Sequence, residues 1–465
     1  MNGPQEQPEE HPGEPGTGKP GKGRTGGSRR ISSDSRTKAG RRTGEGGRTS
    51  GGSTGGGRRA VVTGLGVIAP NGIGTEAFWK AVQQGTPVLG PVTRDGCTDL
   101  PLRIAGEVTG FDPASLIEDR FLVQTDRFTH YAMAAAELAL SDARLAADPE
   151  HPYAVGVVTA AGSGGGEFGQ RELQQLWGQG PSFVGPYQSI AWFYAASTGQ
   201  ISIRGGFRGP CGVLTNDEPG GLDAFAHATR AIRRGTDAMV VGATEAPLAP
   251  YSVVCQLGYP ELSLATEPRH AYLPFTDDAC GFSPAEGGAM LVLEDEESAR
   301  RRGARARAVV AGHSATFSGS GGWDRSRQGL ARAIEGALAE AGCSAADVDV
   351  VFADALGVPA ADRAEALALA DALGPRAATV PVTAPKTGFG RAYCAAGTLD
   401  AVAAVLALEH GVIPPTPNVT EVRHDLDIVT GEARPAELRT ALVLSRGLMG
   451  GNAALVLRHG DDAER

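Results

Sequence analysis

The sequence predicts an α/β fold, and three observations predict it. Apolar runs of strand length alternate with stretches of helical spacing from Arg58 to His459. A strand start at Arg59, Arg-Ala-Val-Val-Thr-Gly, returns at Arg307 as Arg-Ala-Val-Val-Ala-Gly. A polar loop followed by a helix rich in small residues occurs twice, around 208–233 and around 385–410. The strand runs are apolar throughout rather than alternating, as in sheets covered on both faces.

The first 57 residues stand apart. They hold 17 Gly, 10 Lys or Arg and 6 Asp or Glu, and their only large apolar residues are Met1 and Ile31. Such a segment cannot bury enough surface to offset the entropy of ordering it, so 1–57 reads as a disordered Gly/Arg-rich tail. It lacks the apolar stretch of a secretory signal. It reads as a solvated extension rather than a nucleic-acid arm. The remaining residues carry 33 basic and 47 acidic side chains. No run of about 18 apolar residues exists, so no membrane span is expected. The six cysteines, Cys97, Cys211, Cys255, Cys280, Cys343 and Cys394, show no CxxC spacing. That argues against a disulfide framework and a zinc site, and points to reduced, mostly buried thiols in a cytoplasmic protein. No metal or cofactor is expected. Gly162 to Gly166 is not followed by the acidic partner of a dinucleotide loop.

In chain order, Ala60 to Ile68 is a buried strand, and Thr75 opens a helix to Val82. Pro91, Pro101 and Pro113 break up residues 85–122. Asp126 to Leu145 is a helix with clustered alanines, Tyr153 to Thr159 a strand, and Glu167 to Trp177 a helix after the glycine run. Trp192 to Ile203 reads as one helix. Strands follow at Asp237 to Ala243 and Ala289 to Glu294. In the second half, Leu330 to Ala341, Asp362 to Leu373 and Leu399 to His410 read as helices, and Val348 to Ala353 as a strand. A last apolar pair, 440–445 and 453–458, is joined by Gly447 to Gly451.

The stretch from Arg208 to Asp223 carries the chemistry. Val213 and Leu214 end a strand, a polar turn follows, and a helix starts at Leu222. A strand–turn–helix elbow exposes one residue at the positive end of a helix, here Glu218. This elbow resembles that of β-ketoacyl synthases, in which a Cys stands four residues before a Leu-Asp pair. Three further segments resemble the same superfamily: Val62-Thr-Gly-Leu-Gly-Val-Ile-Ala-Pro-Asn-Gly, the run from Pro274 to Gly287, and Gly450-Gly-Asn-Ala-Ala-Leu-Val. The resemblance implies a thiolase-like, duplicated five-layer α-β-α-β-α fold, with halves at 58–303 and 304–465.

The family's condensing members use a Cys nucleophile and two His residues. At those positions this sequence has Glu218, Leu356 (in Ala355-Leu-Gly) and Arg391 (in Lys386-Thr-Gly-Phe-Gly-Arg). The family's Lys is kept as Lys386. Its glycine gate reads Gly447-Leu-Met-Gly, with Met449 as the gate residue. The pattern resembles the chain length factor, or ketosynthase β, of bacterial type II aromatic polyketide synthases. That resemblance implies a non-condensing subunit, inert as an independent condensing enzyme. It would pair with a catalytic ketosynthase α, served by an acyl carrier protein bearing malonyl units and the poly-β-ketone. The family's usual elbow residue is Gln, and Glu218 departs from it: an amide donates a hydrogen bond, an ionised carboxylate only accepts.

The resemblance also implies a tunnel for the growing chain. Gly166, Gly169 and Leu173 share a helical face, and their modest size suits a decaketide or longer; equally, the glycines serve close helix packing. Phe168, Trp192 and Phe193 are candidate tunnel-lining or partner-facing aromatics. Two alternatives stay open. In one, Glu218 serves a malonyl-carrier-protein decarboxylase or priming activity. In the other, the chain is a degenerate structural homodimer. On the bland reading, Glu218 fills a vestigial pocket and caps its own helix. Cys211, Cys280 and Cys394 are read as buried structural thiols, and an Arg391–Glu218 pair would close the old site.

Overall fold

A computed structural model of the chain describes residues 57–319 and 322–463. The tail expected at 1–57 lies outside the described residues, apart from Gly57. Five strands build the first half: β1 (Ala60–Ala69), β2 (Val155–Ala160), β3 (Cys211–Leu214), β4 (Ala238–Glu245) and β5 (Gly287–Asp295). Five build the second: β6 (Ala308–Phe317), β7 (Val350–Phe352), β8 (Pro381–Thr383), β9 (Thr440–Arg446) and β10 (Gly451–His459). Their spatial orders are β3-β2-β4-β5-β1 and β8-β7-β9-β10-β6, the same permutation twice. The pairing sense also repeats. The first three strands of each order run parallel, and the next two join antiparallel. The two sets meet where β1 pairs with β6, Val61 opposite Val309 and Val62 opposite Ala308.

The helices used below are α1 (Thr75–Gln83), α2 (Arg127–Ala143), α3 (Gly166–Gln179), α4 (Ala196–Gly205), α5 (Gly220–Arg233), α6 (Pro250–Gln256), α7 (Trp323–Ala341), α8 (Pro359–Leu373) and α9 (Cys394–His410). Helices α2 and α4 cover the outer face of the first half, and α7 and α8 that of the second. Between the halves lie α5 and α9, each touching strands of both. This is the five-layer arrangement. The strands look uniformly apolar because both faces are covered. In β4, Met239, Val241 and Ala243 enter the middle layer, while Ala238 and Val240 face α2. In β9, Ala441 and Val443 face the middle, and Leu442 and Leu444 the α7 side.

The middle layer explains the small residues. Every residue of α9 from Cys394 to Leu408 is buried, so the helix is largely apolar on all sides, Thr398 and Asp400 excepted. At Gly221 a β-carbon would lie 2.1 Å from the Cys394 carbonyl oxygen, so the two central helices meet only because this residue is Gly.

Two sequence expectations change. The stretch from Trp192 to Ile203 is not one helix: a turn at Gln188–Ala191 precedes it, and α4 begins only at Ala196. The Trp192 carbonyl is taken by the Gly165 N–H at 3.1 Å, which ties the break to the glycine run. The thiols are less buried than expected. Cys97 and Cys394 are buried, but Cys211, Cys255 and Cys280 are exposed. Cys211 begins β3, an edge strand covered by no neighbour on one side.

Candidate functional site

The turn after β3 opens on a cavity of about 430 Å³. Asn216, Asp217 and Glu218 line one wall; Gly162, Ser163 and Gly166 line another; Tyr393 and Cys394, at the head of α9, form the floor with Glu245. Leu448 and Met449, in the β9–β10 turn, complete it. The elbow and α9 belong to different halves, so the cavity exists only in the folded pair.

Glu218 is buried, and its Oε2 lies 2.9 Å from Nη2 of Arg391. It does not cap α5, which has no side-chain cap, because its carboxylate is turned across the halves to the guanidinium. The same Nη2 donates to Asp354 Oδ1 at 2.9 Å and to the Arg446 carbonyl at 2.6 Å, and Nη1 donates to the Asp354 carbonyl at 3.1 Å. Asp354 also accepts from the Arg446 N–H (2.8 Å) and side chain (3.2 Å), and Arg446 reaches Glu365 at 2.9 Å. A buried chain of alternating charge thus runs Glu218–Arg391–Asp354–Arg446–Glu365.

Two carboxylates compete for Arg391, and they resolve differently. Burial pushes the Asp354 carboxyl up, but Arg391, Arg446 and Lys386 together hold it below its ordinary range. Burial raises Glu218 from an ordinary 4.5 to about 7, against the pull of Arg391 alone. Asp354 therefore keeps its charge, and Glu218 takes a proton near neutrality. Across the cavity, burial also raises Glu245, opposed by hydrogen bonds from Gly162 N–H (2.5 Å) and Ser163 Oγ (2.8 Å).

Leu356 is buried among Tyr272, Phe282 and Ala361, and does not line the cavity. Lys386 is buried too. Its Nζ donates to the carbonyls of Ala353 (2.8 Å) and Asp354 (3.1 Å) and lies 2.5 Å from Asp400, holding the strand end that carries Asp354. Ala355, next to Leu356, and Tyr393, two residues after Arg391, have φ of 50° and 47° though neither is Gly. Backbone strain of this kind gathers at functional sites. Among the described residues no histidine lines the cavity, and its two cysteines, Cys255 and Cys394, stand on α6 and at the head of α9 rather than on the elbow turn. Burial and the neighbouring Glu245 push the Cys394 thiol well above the ordinary range, which disfavours its thiolate.

Of the residues read as tunnel-forming or tunnel-lining, Gly166 and Trp192 line the cavity. Phe168 is a buried residue of α3, Gly169 abuts the Trp192 indole, and Leu173 is 43% exposed. Met449 lies at the cavity and is largely exposed. Sequence reasoning missed Asp217, Glu245, Asp354 and Arg446. Only Asp217, beside Glu218, carried a readable signal. Among the described residues, no group of His, Cys, Asp or Glu is placed to hold a metal ion.

An elbow with Glu218 at its turn, set between two topologically identical halves, defines a thiolase-like scaffold. The chain belongs to the beta-ketoacyl synthase family: the N-terminal domain of that family matches residues 57–299 and the C-terminal domain residues 307–420. Among its relatives is a protein of Streptomyces coelicolor named polyketide beta-ketoacyl synthase 2, 74% identical over 407 residues, 87% of this chain and 96% of that protein. The tetracenomycin polyketide synthase ketoacyl synthase beta subunit of Streptomyces glaucescens is 51% identical, over 86% of this chain and 98% of its own length. The ishigamide ketosynthase/chain length factor matches with a TM-score of 0.78 at 29% identity, covering 87% of this chain and 100% of that one. The AntDE:AntF complex, a type II carrier protein with its ketosynthase, matches at 0.76 and 27%, with the same coverage.

Proposed function

We propose that this chain is the non-condensing, chain-length-determining subunit of a type II aromatic polyketide synthase. It works in the cytoplasm as the partner of a catalytic ketosynthase α, with malonyl units and the poly-β-ketone delivered on an acyl carrier protein. One observation carries the reading. The three reacting positions hold Glu218, Leu356 and Arg391; the first and last neutralise each other at 2.9 Å, and the middle one is sealed in an apolar cluster. Condensation needs a thiolate and bases, and none is left. What remains is a cavity of about 430 Å³ with Gly166 at its wall, and we read it as receiving a chain of decaketide length or longer. Trp192 and Tyr251 line it and are exposed, and Phe193, next to Trp192, and Val254, three residues after Tyr251, are exposed too, an apolar surface fit for the partner. The halves are assigned to 58–303 and 304–465. Among the described residues no helix is long and apolar enough to cross a membrane.

The test is co-expression with a ketosynthase α and carrier protein. A stable 1:1 complex making a long polyketide, with this chain inert alone, supports the reading. Condensation by the isolated chain, abolished by Glu218→Ala, overturns it. A priming role draws on a separate observation: Glu218 lines the cavity and, raised to about 7, is partly protonated at neutral pH. A protonated carboxyl donates a hydrogen bond to a thioester carbonyl, as an amide does. If so, malonyl decarboxylation falls with rising pH in the wild type and loses that dependence in Glu218→Gln.

A further inference from the structure

Asp217 is bonded across the molecule, to the turn between β9 and β10. Its Oδ2 accepts from the N–H groups of Met449 at 2.8 Å and Gly451 at 3.1 Å, while Oδ1 accepts from the Glu218 N–H at 3.0 Å. One carboxylate therefore spans the elbow of the first half and the last turn of the second. The turn is shaped to receive it. At Gly447 a β-carbon would lie 1.9 Å from the Asp217 carboxyl carbon, so any side chain there would evict the carboxylate.

The far side of the turn is pinned separately. The Gly450 carbonyl accepts from Ser318 N–H at 2.8 Å and Asn452 Nδ2 at 3.2 Å, and Leu448 packs against the Leu356 cluster. On the cavity side the turn is held by the Asp217 carboxylate. Bonds to an ionised acceptor are the stronger kind, and two of the turn's N–H groups lose their partner without it.

We propose that Asp217 is a positioning residue that clamps the Gly447–Gly451 turn onto the elbow, fixes how far Met449 stands into the cavity, and so helps set the length of chain admitted. This rests on the reading that the cavity receives the growing chain. The clamp holds the loop by backbone bonds and leaves the Met449 side chain at the mouth.

The experiment uses the full heterodimer with its carrier protein. Asp217→Ala, Asp217→Asn and, independently, Gly166→Leu are compared by backbone amide exchange and by the lengths of the polyketides made. Asp217→Ala is expected to speed exchange at Met449 and Gly451 roughly ten-fold or more, leaving α9 unchanged, and to broaden or shift the product lengths. Asp217→Asn, of the same shape with one acceptor oxygen kept, gives a smaller change in the same direction. Gly447→Ala pushes on the clamp from the other side and reproduces the effect, and combined with Asp217→Ala adds little further. Unchanged exchange at both amides overturns the clamp. Faster exchange with unchanged products overturns its role in length. Products shifted by Gly166→Leu but not by Asp217→Ala overturn the proposal and leave the cavity reading standing. Products shifted by neither variant overturn the cavity reading itself, and the exchange data then decide the clamp alone.

Discussion

The Glu218 carboxylate and the Arg391 guanidinium meet at 2.9 Å inside the protein, one carried by the elbow of the first half and the other by the loop before α9. Facing each other, they form a buried bridge between the halves.

Arg391 serves four acceptors at once, so its loss strands the buried Glu218 carboxyl and leaves Asp354 to Arg446 and Lys386. Arg391→Ala is expected to destabilise the chain by about 3–5 kcal/mol, the cost of breaking a buried pair from one side. Arg391→Lys does not restore the loss, because one ammonium cannot reproduce the forked contacts to Glu218, Asp354 and the Arg446 carbonyl. Urea unfolding curves measure both.

The Glu218 carboxyl binds its proton more tightly in the folded chain than in the unfolded one. Its contribution to stability is therefore fully present below pH 4.5 and is lost as pH rises through about 7. Over that window the difference integrates to about 3 kcal/mol. Glu218→Gln removes this slope. Subtracting its stability curve from that of the wild type, between pH 5 and 8, isolates the effect. A parallel pair of curves would place the titration elsewhere.

Restoring the thiol alone does not restore condensation. In Glu218→Cys the new side chain faces Arg391, which is never a base, and Leu356 stays in its apolar cluster. Condensation by the isolated variant, followed with labelled malonyl carrier protein, is expected to stay at background. The freed Arg391 still has Asp354, so the variant folds.

The exposed aromatics near the cavity mouth give a separate prediction. Trp192 and Phe193 are each 49% exposed. A charge placed there, as in Phe193→Asp, is expected to weaken partner binding by at least about ten-fold while leaving the melting temperature of the isolated chain unchanged. Leu173→Asp, on the same helix as Gly166 but outside the cavity lining, changes binding or nothing, and leaves product length alone. Light scattering of the mixed subunits and product analysis distinguish the two.

Much of this protein is determined by the sequence alone. Apolar runs such as Ala238 to Ala243 can only be strands covered on both faces, and the repeat of Ala-Val-Val-x-Gly announces two like halves. The elbow was legible because a strand end, a turn and a glycine pair follow one another locally. Glu218, Leu356 and Arg391 were legible as candidate site positions because each sits in a short motif. The tertiary structure decided what those residues do. Glu218 and Arg391 are 173 residues apart, and no local pattern states that they touch. Asp354 and Arg446 carried no motif, yet they determine which of two carboxyls keeps its charge. Asp217 looked like an ordinary turn residue until the last turn of the chain was laid over it. Gly169 and Leu173 share a helical face with Gly166, but Gly169 is covered by the Trp192 ring and Leu173 is exposed outside the cavity. Local spacing fixes which residues can form an element; long-range packing and desolvation decide which of them meet, and in what protonation state.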